Sequence, residues 1–507
     1  MKIKFSLLLI LSFILSSISL SQVSYEKRIE FELKDGYDTD NIIPKGKDGF
    51  IMISENQKPD GKDREWLYEF YDNNLESEKR EQIYLDKKMA SDVSFESQKG
   101  VYSLFRNNKG EIEIVTVLHH DGSIKSTKGK LHKKFYPKSM VVVDQFAYIK
   151  GILKKSPAIM VVNLSTGMTG ILPVSIGSYK LKNISYKNMQ ANTSANEVYL
   201  FVQGINSKKS SEMFFLVLTD GKIKTPAQKI DKTNDFNIIS ISASKINDAE
   251  YIITGTYGEK SNYASVGLFF GKIENKKVDF LKFFNFLEFK DFLTYLPEKR
   301  QAKIERKKER KKKQGKEMTI DYNIASHNII KTPEGNYIFL GEAFYPTYRT
   351  ETYTTFVNGQ SVTQTRQVFD GYQYTHAMIS KFSPKGELIW DRLFKMYASY
   401  KPFYIKRFIT LYGDSENSLN MAFVDSKKIN TKSINYINGE ILKEENSDEI
   451  ETGWEGDETK KGITHMEYWY ENYFIVYGNQ VIKNKGDDKN KKGKRKVFFV
   501  SKVAYQK

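Results

Sequence analysis

The sequence predicts an all-β fold built from a repeated four-stranded antiparallel unit. Aromatic residues make up 14% of the 507 residues, with 32 Tyr and 33 Phe, and such side chains favour strands. A strand-like apolar segment recurs at intervals of 46 to 52 residues through the first half of the chain. Helix-favouring runs of Ala and Leu are scarce after the N-terminus. These features predict a chain that buries its apolar surface between sheets.

The clearest copy of the unit lies between His327 and Met396. It begins with a short apolar run at Asn328–Lys331, a Pro-Glu-Gly-Asn turn, and an aromatic and β-branched run at Tyr337–Gly341. After an interruption, the segments His376–Phe382 and Leu388–Phe394 alternate apolar with polar residues on either side of a Pro-Lys-Gly turn. Four strands in this order predict one antiparallel sheet.

The second strand of the unit recurs along the whole chain. Its first aromatic or aliphatic residue is found at Phe50, Tyr102, Tyr148, Tyr199, Tyr251, Tyr337, Leu419 and Phe474. This spacing is typical of propeller blades, so the sequence predicts a β-propeller of four-stranded antiparallel blades. The copy around Leu419 is weak, which leaves seven or eight blades open.

Both ends of the chain contain strand-like segments. Tyr25–Leu33 resembles the fourth strand of a unit, and the chain ends after a third strand at Val497–Tyr505. We therefore expect the N-terminal strand to complete the last blade, which leaves few open sheet edges. No sorting domain is expected after the last strand.

The N-terminus predicts export. A basic start at Met1–Lys4 precedes the apolar stretch Phe5–Leu20, which ends in small residues, so residues 1–21 are predicted to be a signal peptide. Residues 22–507 are then a single propeller domain without a transmembrane segment. The chain has no Cys, which excludes disulfides and a lipobox lipid anchor. The expected location is periplasmic or secreted.

Three insertions are predicted in the domain, at residues 287–316, 345–373 and 444–461. The first is strongly basic: Glu298–Glu317 carries 11 Lys or Arg and 4 Glu, within a chain of net charge +17. This segment reads as a helix or a disordered charged loop. The second is rich in Tyr, Thr and Arg and predicts an extended hairpin, and the third is acidic.

The hairpin segment is a candidate binding surface, because aromatic rings beside a guanidinium and carboxylates suit a sugar or a peptide. The candidate ligand-binding residues are Glu342, Tyr345, Tyr348, Arg349, Tyr353, Asp370, Tyr372 and His376. The alternative is a structural flap whose rings pack on a neighbouring blade. Glu342 with Asp370 or Asp391 would also support a carbohydrate-active hydrolase if the carboxyl groups lay about 5 to 10 Å apart.

The basic insertion is a candidate polyanion-binding surface, since clustered cations gain affinity by releasing counterions. The candidate residues are Arg300, Lys303, Arg306, Lys307 and Arg310. A solvated charged helix or loop is the alternative. No aromatic residue interleaves these cations, which disfavours nucleic acid.

Other site classes are not indicated. The six His lack the spacing of metal ligands, and the sequence has no GxSxG, P-loop or GxGxxG motif, so neither a metal nor a cofactor is expected. The partner is unknown, with a glycan or a protein at the cell surface as the expectation.

The stretch GNYIFLGEAFYPTYRTET, followed by FDGYQYTHAMISKFSPKGELIW, carries a family resemblance. With the repeat and the signal peptide, it resembles secreted β-propeller-like proteins of the Bacteroidota, a family of unknown function. The resemblance is firmest across residues 327–396 and implies no catalytic residues. It implies an exported binding or scaffolding protein, with a hydrolase and an adhesin for polyanionic surfaces as alternatives.

Overall fold

The computed structural model describes residues 21–32, 37–59, 61–205, 211–230, 236–259, 264–357, 360–413, 417–425, 427–486 and 493–506. The predicted signal peptide lies outside these residues, apart from Ser21. The described chain forms two compact units. The six-blade unit comprises described residues within Lys34–Phe408 and Asn435–Glu440, and the two-blade unit comprises those within Met1–Leu33, Ile409–Ile434 and Ile441–Lys507.

Eight antiparallel sheets of the predicted four-stranded kind make up the fold of the described residues, one of them with an extra two-residue strand, and in seven of them the four main strands follow chain order. The first strand of the chain, β1 (Val23–Glu32), belongs to the last sheet. Blade 1 contains β2 (Tyr37–Pro44), β3 (Phe50–Asn56), β4 (Asp63–Tyr71) and β5 (Ser77–Asp86). Blade 2 contains β6 (Ala90–Ser97), β7 (Gly100–Arg106), β8 (Glu111–Leu118) and β9 (Ile124–Lys130). Blade 3 contains β10 (Phe135–Val143), β11 (Phe146–Leu153), β12 (Ser156–Asn163) and β13 (Thr169–Leu172).

The remaining blades of the six-blade unit carry its longest elements. Blade 4 contains β14 (Ile184–Asn192), β15 (Glu197–Ile205), β16 (Ser211–Thr219) and β17 (Lys222–Ile230). Blade 5 contains β18 (Phe236–Asn247), β19 (Glu250–Glu259), β20 (Gly267–Glu274) and β21 (Lys277–Asn285). Helix α1 (Glu298–Lys313) follows it. Blade 6 contains β22 (Asn323–Ser326), β24 (Tyr337–Val357), β25 (Gln360–Phe382) and β26 (Leu388–Lys395), and the two-residue β23 (Ile330–Lys331) also pairs with β24.

The two-blade unit contains blades 7 and 8. Blade 7 contains β27 (Thr410–Gly413), β28 (Ser418–Asp425), β29 (Lys428–Asn435) and β30 (Ile441–Glu449). Blade 8 contains β31 (Asp457–Tyr470), β32 (Tyr473–Asn484), β33 (Gly493–Tyr505) and β1. Strand β1 pairs with β33 from Val23 opposite Tyr505 to Glu32 opposite Val497, which confirms that the N-terminal strand completes the last blade.

These sheets define an eight-bladed β-propeller fold, which confirms the predicted fold class and decides between seven and eight blades. Every residue of the repeated series lies in the second strand of a blade, including Leu419 in the weak copy. The sequence placed the first strand of blade 6 at Asn328–Lys331, and this was wrong. The first strand of blade 6 is β22, and within the predicted segment only Ile330–Lys331 pairs with β24.

Within each of the two units, apolar clusters between successive blades form the core. Between blades 4 and 5, the ring of Tyr199 meets the rings of Phe215 and Tyr251 at centroid distances of 5.8 and 5.5 Å. Second and third strands are covered on both faces, so β15 is buried at every residue from Glu197 to Gly204. Such strands read as continuous apolar runs rather than alternating ones, which is why the second strand was the part of the repeat visible in the sequence.

The predicted insertions have three different structures. In residues 287–316 the charged part is helical, because α1 covers it. In residues 345–373 the extended hairpin is confirmed, since β24 and β25 pair from Tyr337 opposite Phe382 to Val357 opposite Gln360. In residues 444–461, by contrast, most positions belong to β30 and β31, and a short loop joins them.

Short 3₁₀ turns complete the described secondary structure, at Gly46–Asp48, Leu181–Asn183 and Phe286–Glu288. Among the described residues, no helix combines the length and apolarity needed to cross a bilayer.

Candidate functional site

One edge of blades 5 and 6 gathers the unusual segments of the six-blade unit. Neighbouring strands in each blade run in opposite directions, so successive turns alternate between the two edges of the sheet. The connection from β21 to β22, which contains α1, therefore emerges at the same edge as the tip of the β24–β25 hairpin. Residues 397–408, which follow β26, also begin at this edge. We call them the strap.

Hydrogen bonds fasten the strap to the base of the hairpin. The backbone N–H of Tyr372 donates to the carbonyl of Pro402 at 2.9 Å. The hydroxyl of Tyr374 donates to the carbonyl of Lys406 at 2.6 Å and accepts from its N–H at 2.9 Å. These bonds hold the strap residues that follow, including Arg407, in a defined position.

Glu342 is the buried end of this attachment. Its side chain is fully buried, and its carboxylate accepts the backbone N–H of Phe408 at 2.9 Å. The other contact joins Glu342 Oε1 to His327 Nε2 at 2.7 Å. Both carboxylate oxygens of this candidate ligand-binding residue are therefore engaged inside the protein.

His376 is also a core residue rather than a surface ligand. It faces the opposite side of the sheet from Glu342, since it pairs with Ala343. Its ring stacks on Tyr295 at a centroid distance of 4.0 Å and is fully buried. Burial lowers the pKa of His376 to about 3, so the imidazole is neutral at physiological pH. The structure therefore places this candidate ligand-binding residue in the core.

The exposed candidates lie on two faces of the hairpin. On one face, Glu351 bridges Arg349 and Arg366 at 2.8 and 2.9 Å, and the Arg366 guanidinium lies 5.6 Å from the ring centroid of Tyr353. The bridges lower the pKa of the Glu351 carboxyl, chiefly through the hydrogen bond from Arg366. This face therefore presents two guanidinium groups around one carboxylate.

The other face of the hairpin carries aromatic rings. Tyr348 is 60% exposed, and its ring lies 6.0 Å from that of Phe369, which in turn lies 5.0 Å from Tyr372. Phe403 of the strap joins this cluster at 5.9 Å from Phe369 and is 69% exposed. Tyr345, at the hairpin base, is half-exposed. Tyr348 and Tyr372 thus belong to one aromatic cluster. Arg349 lies on the opposite face of the hairpin.

The proposed pair of catalytic carboxylates does not form. Glu342 lies opposite Ala377, seven residues along β25 from Asp370, which corresponds to about 20 Å at roughly 3.3 Å per residue. Asp370 instead pairs with Lys401 at 3.2 Å. Asp391 accepts the backbone N–H groups of Lys290 and Asp291 and is buried. Glu342 and Asp370 are therefore too far apart to act together as the carboxylate pair of a glycoside hydrolase.

Sequence reasoning missed a cleft beside the strap. It has a volume of about 430 Å³ and is lined by the first strands of blades 4, 5 and 6, by Thr254 and Gly255 of β19, by His327 and Asn328, and by Ile405 and Arg407 of the strap. Lys187 lies at a β-bulge of β14, between Tyr186 and Asn188, where the register with β15 shifts. A bulge inserts an extra residue into a strand and changes the direction of its side chain. The first strands of blades 1, 2, 3, 5 and 8 also contain a bulge.

Hydrogen bonds link the walls of this cleft across blades. Asn188 donates to the carbonyl of Ile241 at 2.7 Å, which joins blades 4 and 5. The hydroxyls of Ser240 and Ser326 are 2.7 Å apart, which joins blades 5 and 6. Arg407 Nε donates to the carbonyl of Ser326 at 2.8 Å. The walls therefore form one connected polar framework.

Two cations belong to this framework. Lys187 is half-buried, and within the described chain its ammonium group makes no hydrogen bond or ion pair; burial lowers its pKa. Burial also lowers the pKa of Arg407, and the nearby Glu342 carboxylate opposes that effect. No Asp or Glu lines the cleft. No sequence signal could have found this site, because its residues come from segments up to 220 positions apart.

Helix α1 separates its charges by face. Gln301 donates to the carbonyl of Leu296 at 2.7 Å, and Lys308 donates to that of Leu287 at 2.8 Å, so this side rests on the protein. At 3.6 residues per turn, the three Glu of the helix fall together on one flank. The outward face of the helix carries a row of five cations, Lys299, Lys303, Arg306, Lys307 and Arg310. Arg300 is exposed beside this row.

Four of the predicted polyanion-binding residues are thus on one exposed surface, with Lys299 as an addition. We call Lys299, Lys303, Arg306, Lys307 and Arg310 the basic row. Among the described residues, no three His, Asp or Glu side chains converge in an arrangement that would hold a metal ion.

Comparisons with known proteins show weak similarity only. No family model matches the sequence, and no curated protein matches it. Among solved structures, a polysaccharide lyase, Uly1, is 9% identical over 82% of this chain and 90% of its own, with a TM-score of 0.37. The β-propeller domain of the Trilobed protease from Pyrococcus furiosus is 8% identical over 81% of this chain and 98% of its own, with a TM-score of 0.34. Similarities at this level carry no argument about function, and the fold assignment rests on the sheets described above.

Proposed function

We propose that the protein is an exported β-propeller that binds acidic polysaccharides. The observation that carries this proposal is the basic row, in which five cations face outward from a helix whose opposite side is docked. A cationic surface of this kind attracts polyanions and gains affinity by releasing their counterions. The arginines of the hairpin, Arg349 and Arg366, add positive charge at the same edge of blade 6.

Polysaccharide is favoured over nucleic acid because the basic row contains no aromatic side chain. Binding of single strands relies on base stacking against such rings, and the helix offers only charges and aliphatic stems. The engagement of Glu342 and Asp391 inside the protein supports binding rather than hydrolysis. Export is supported by the apolar N-terminal stretch and by the resemblance to secreted propeller-like proteins of the Bacteroidota, and it places such polymers within reach.

The test is binding of mature protein, Gln22–Lys507, to immobilised alginate, dextran sulfate and neutral dextran. Wild type should bind both acidic polymers and not dextran, and raising NaCl from about 50 to 300 mM should weaken binding at least tenfold because salt screens the charges. Replacing the five residues of the basic row with Gln should remove most of this affinity. Gln keeps a helix propensity close to that of Lys and Arg, so α1 should persist.

The matched control replaces five exposed lysines at the edge of blade 2, which changes the net charge equally. They are Lys125, Lys128, Lys130, Lys133 and Lys134. The control should bind within about twofold of wild type. Equal losses in both variants would contradict a site at α1 and indicate a general charge effect. Salt-independent binding to neutral dextran would contradict the proposal and point to the exposed rings of Tyr348 and Phe403.

A further inference from the structure

The cleft beside the strap differs from the basic row in one respect: residues of three blades and of the strap line it, whereas a single helix carries the basic row. Its volume of about 430 Å³ lies within the range of small-molecule pockets, roughly 300–1,000 Å³. Hydrogen bonds between Asn188 and Ile241 and between Ser240 and Ser326 fix its walls. A ligand would therefore meet a preformed site rather than a flexible charged surface.

We propose that this cleft binds one anionic group, a carboxylate or a sulfate ester, carried on a single sugar residue. Lys187 and Arg407 supply the two cations that line the cavity. Arg407 uses Nε to hold the Ser326 carbonyl, which leaves its two terminal nitrogens to donate to a ligand oxyanion. This inference rests on the proposed function, which supplies the polymer that carries the sugar. The cleft adds the chemical group that the protein recognises on that polymer.

The charge balance of the cleft favours an anion. No Asp or Glu lines the cleft, and the acid that acts on Arg407 electrostatically is Glu342. The Glu342 carboxylate is buried and already accepts from Phe408 and contacts His327. A bound oxyanion would supply the negatively charged partner that the Lys187 ammonium group lacks within the described protein.

The rest of the lining suits a sugar ring. Ile239, Ile241, Ile324 and Ile405 give the cavity apolar wall segments between its polar groups. Sugars present a C–H face and hydroxyl edges, so apolar walls with hydroxyl and amide groups between them match both features. A bare inorganic anion would leave the apolar walls in contact with water.

The experiment measures binding of small probes to the full mature protein by calorimetry. The probes are glucuronate, glucose 6-sulfate, glucose and inorganic sulfate, which separate the carboxylate and sulfate sources from the neutral ring and the bare anion. Wild type should bind at least one anionic sugar at least tenfold more tightly than glucose or inorganic sulfate. Lys187→Met and Arg407→Gln should each weaken that binding at least tenfold, and the basic-row variant should keep it.

The outcomes distinguish the two proposals. Polymer binding without any binding of anionic sugars would overturn the cleft site and leave the basic row standing. Binding of inorganic sulfate as tightly as either sugar would overturn the sugar assignment. Unchanged binding in Arg407→Gln, which replaces a partly exposed strap side chain and should not prevent folding, would overturn the site even if Lys187→Met failed to fold. A melting temperature for Lys187→Met at or above that of wild type would support the unpaired state of Lys187 without ligand.

Discussion

Glu342 provides the sharpest test of how the hairpin and strap are held. Its carboxylate accepts the N–H of Phe408 at 2.9 Å and contacts Nε2 of His327 at 2.7 Å, and it is fully buried. Replacing Glu342 with Ala would leave both partners without this acceptor in a dry environment. We expect the variant to fold less stably, and we expect the strap to detach from blade 6 first.

The magnitude follows from these contacts. Each buried group left without a partner costs about 1–3 kcal/mol, and Glu342→Ala leaves two such groups, the N–H of Phe408 and Nε2 of His327. We therefore expect Glu342→Ala to lower the free energy of unfolding by about 3–5 kcal/mol. Glu342→Gln keeps the shape and an oxygen acceptor for Phe408, so a loss of about 1–2 kcal/mol is expected.

Urea unfolding followed by tryptophan fluorescence measures these losses, since Trp390 is buried in blade 6 and reports on it. The control is Asp370→Ala on the same hairpin, where the pair with Lys401 is about one-third exposed. Loss of such a surface pair should cost less than about 1 kcal/mol. The reasoning is refuted if Glu342→Ala is no less stable than Asp370→Ala.

Two further predictions concern stability. His376 has its pKa lowered to about 3, so below pH 6.5 the unfolded chain takes up a proton that the folded protein does not, and stability falls as pH falls. Between pH 7 and pH 5 this amounts to about 2 kcal/mol, and urea titrations of His376→Phe should show the pH dependence reduced by that amount; an unchanged pH dependence would show that His376 titrates normally in the fold. Gly255 lies in the cleft wall, where an added Cβ would overlap the carbonyl oxygen of Ser240, so Gly255→Ala should cost about 1–3 kcal/mol or more and weaken anion binding. Gly170→Ala is its control, because a Cβ there meets no atom within 4 Å, and equal stabilities of the two variants would show that blade 5 relaxes around the methyl group.

The repeat and its strands could be predicted from the sequence because they depend on local composition. Second strands such as β15 are covered on both faces, and a strand in that position needs consecutive apolar residues whatever its neighbours are. Helix α1 was open to two readings, since a run of Lys, Arg and Glu forms a helix or stays disordered according to what it rests on. Its contacts through Gln301 and Lys308 decided that question.

The candidate site could be predicted only in part, because the facing of each side chain depends on register. The exposed hairpin residues Tyr348 and Arg349 are adjacent in sequence and point to opposite faces, as strand geometry requires. A bulge between Ala343 and Phe344, and the contacts made by Tyr295 and Phe408, determined that His376 and Glu342 are buried. None of these contacts is visible in a linear sequence.

By itself, then, the sequence determined the all-β class, the repeated blade and the position of the basic insertion, because composition and spacing follow from local burial and charge. Tertiary structure alone decided the number of blades, the facing of the hairpin and the existence of the cleft. Lys187, Ser240, Ser326 and Arg407 meet only because successive blades pack side by side, and a contact between residues so far apart in sequence is set by long-range packing rather than by any local pattern.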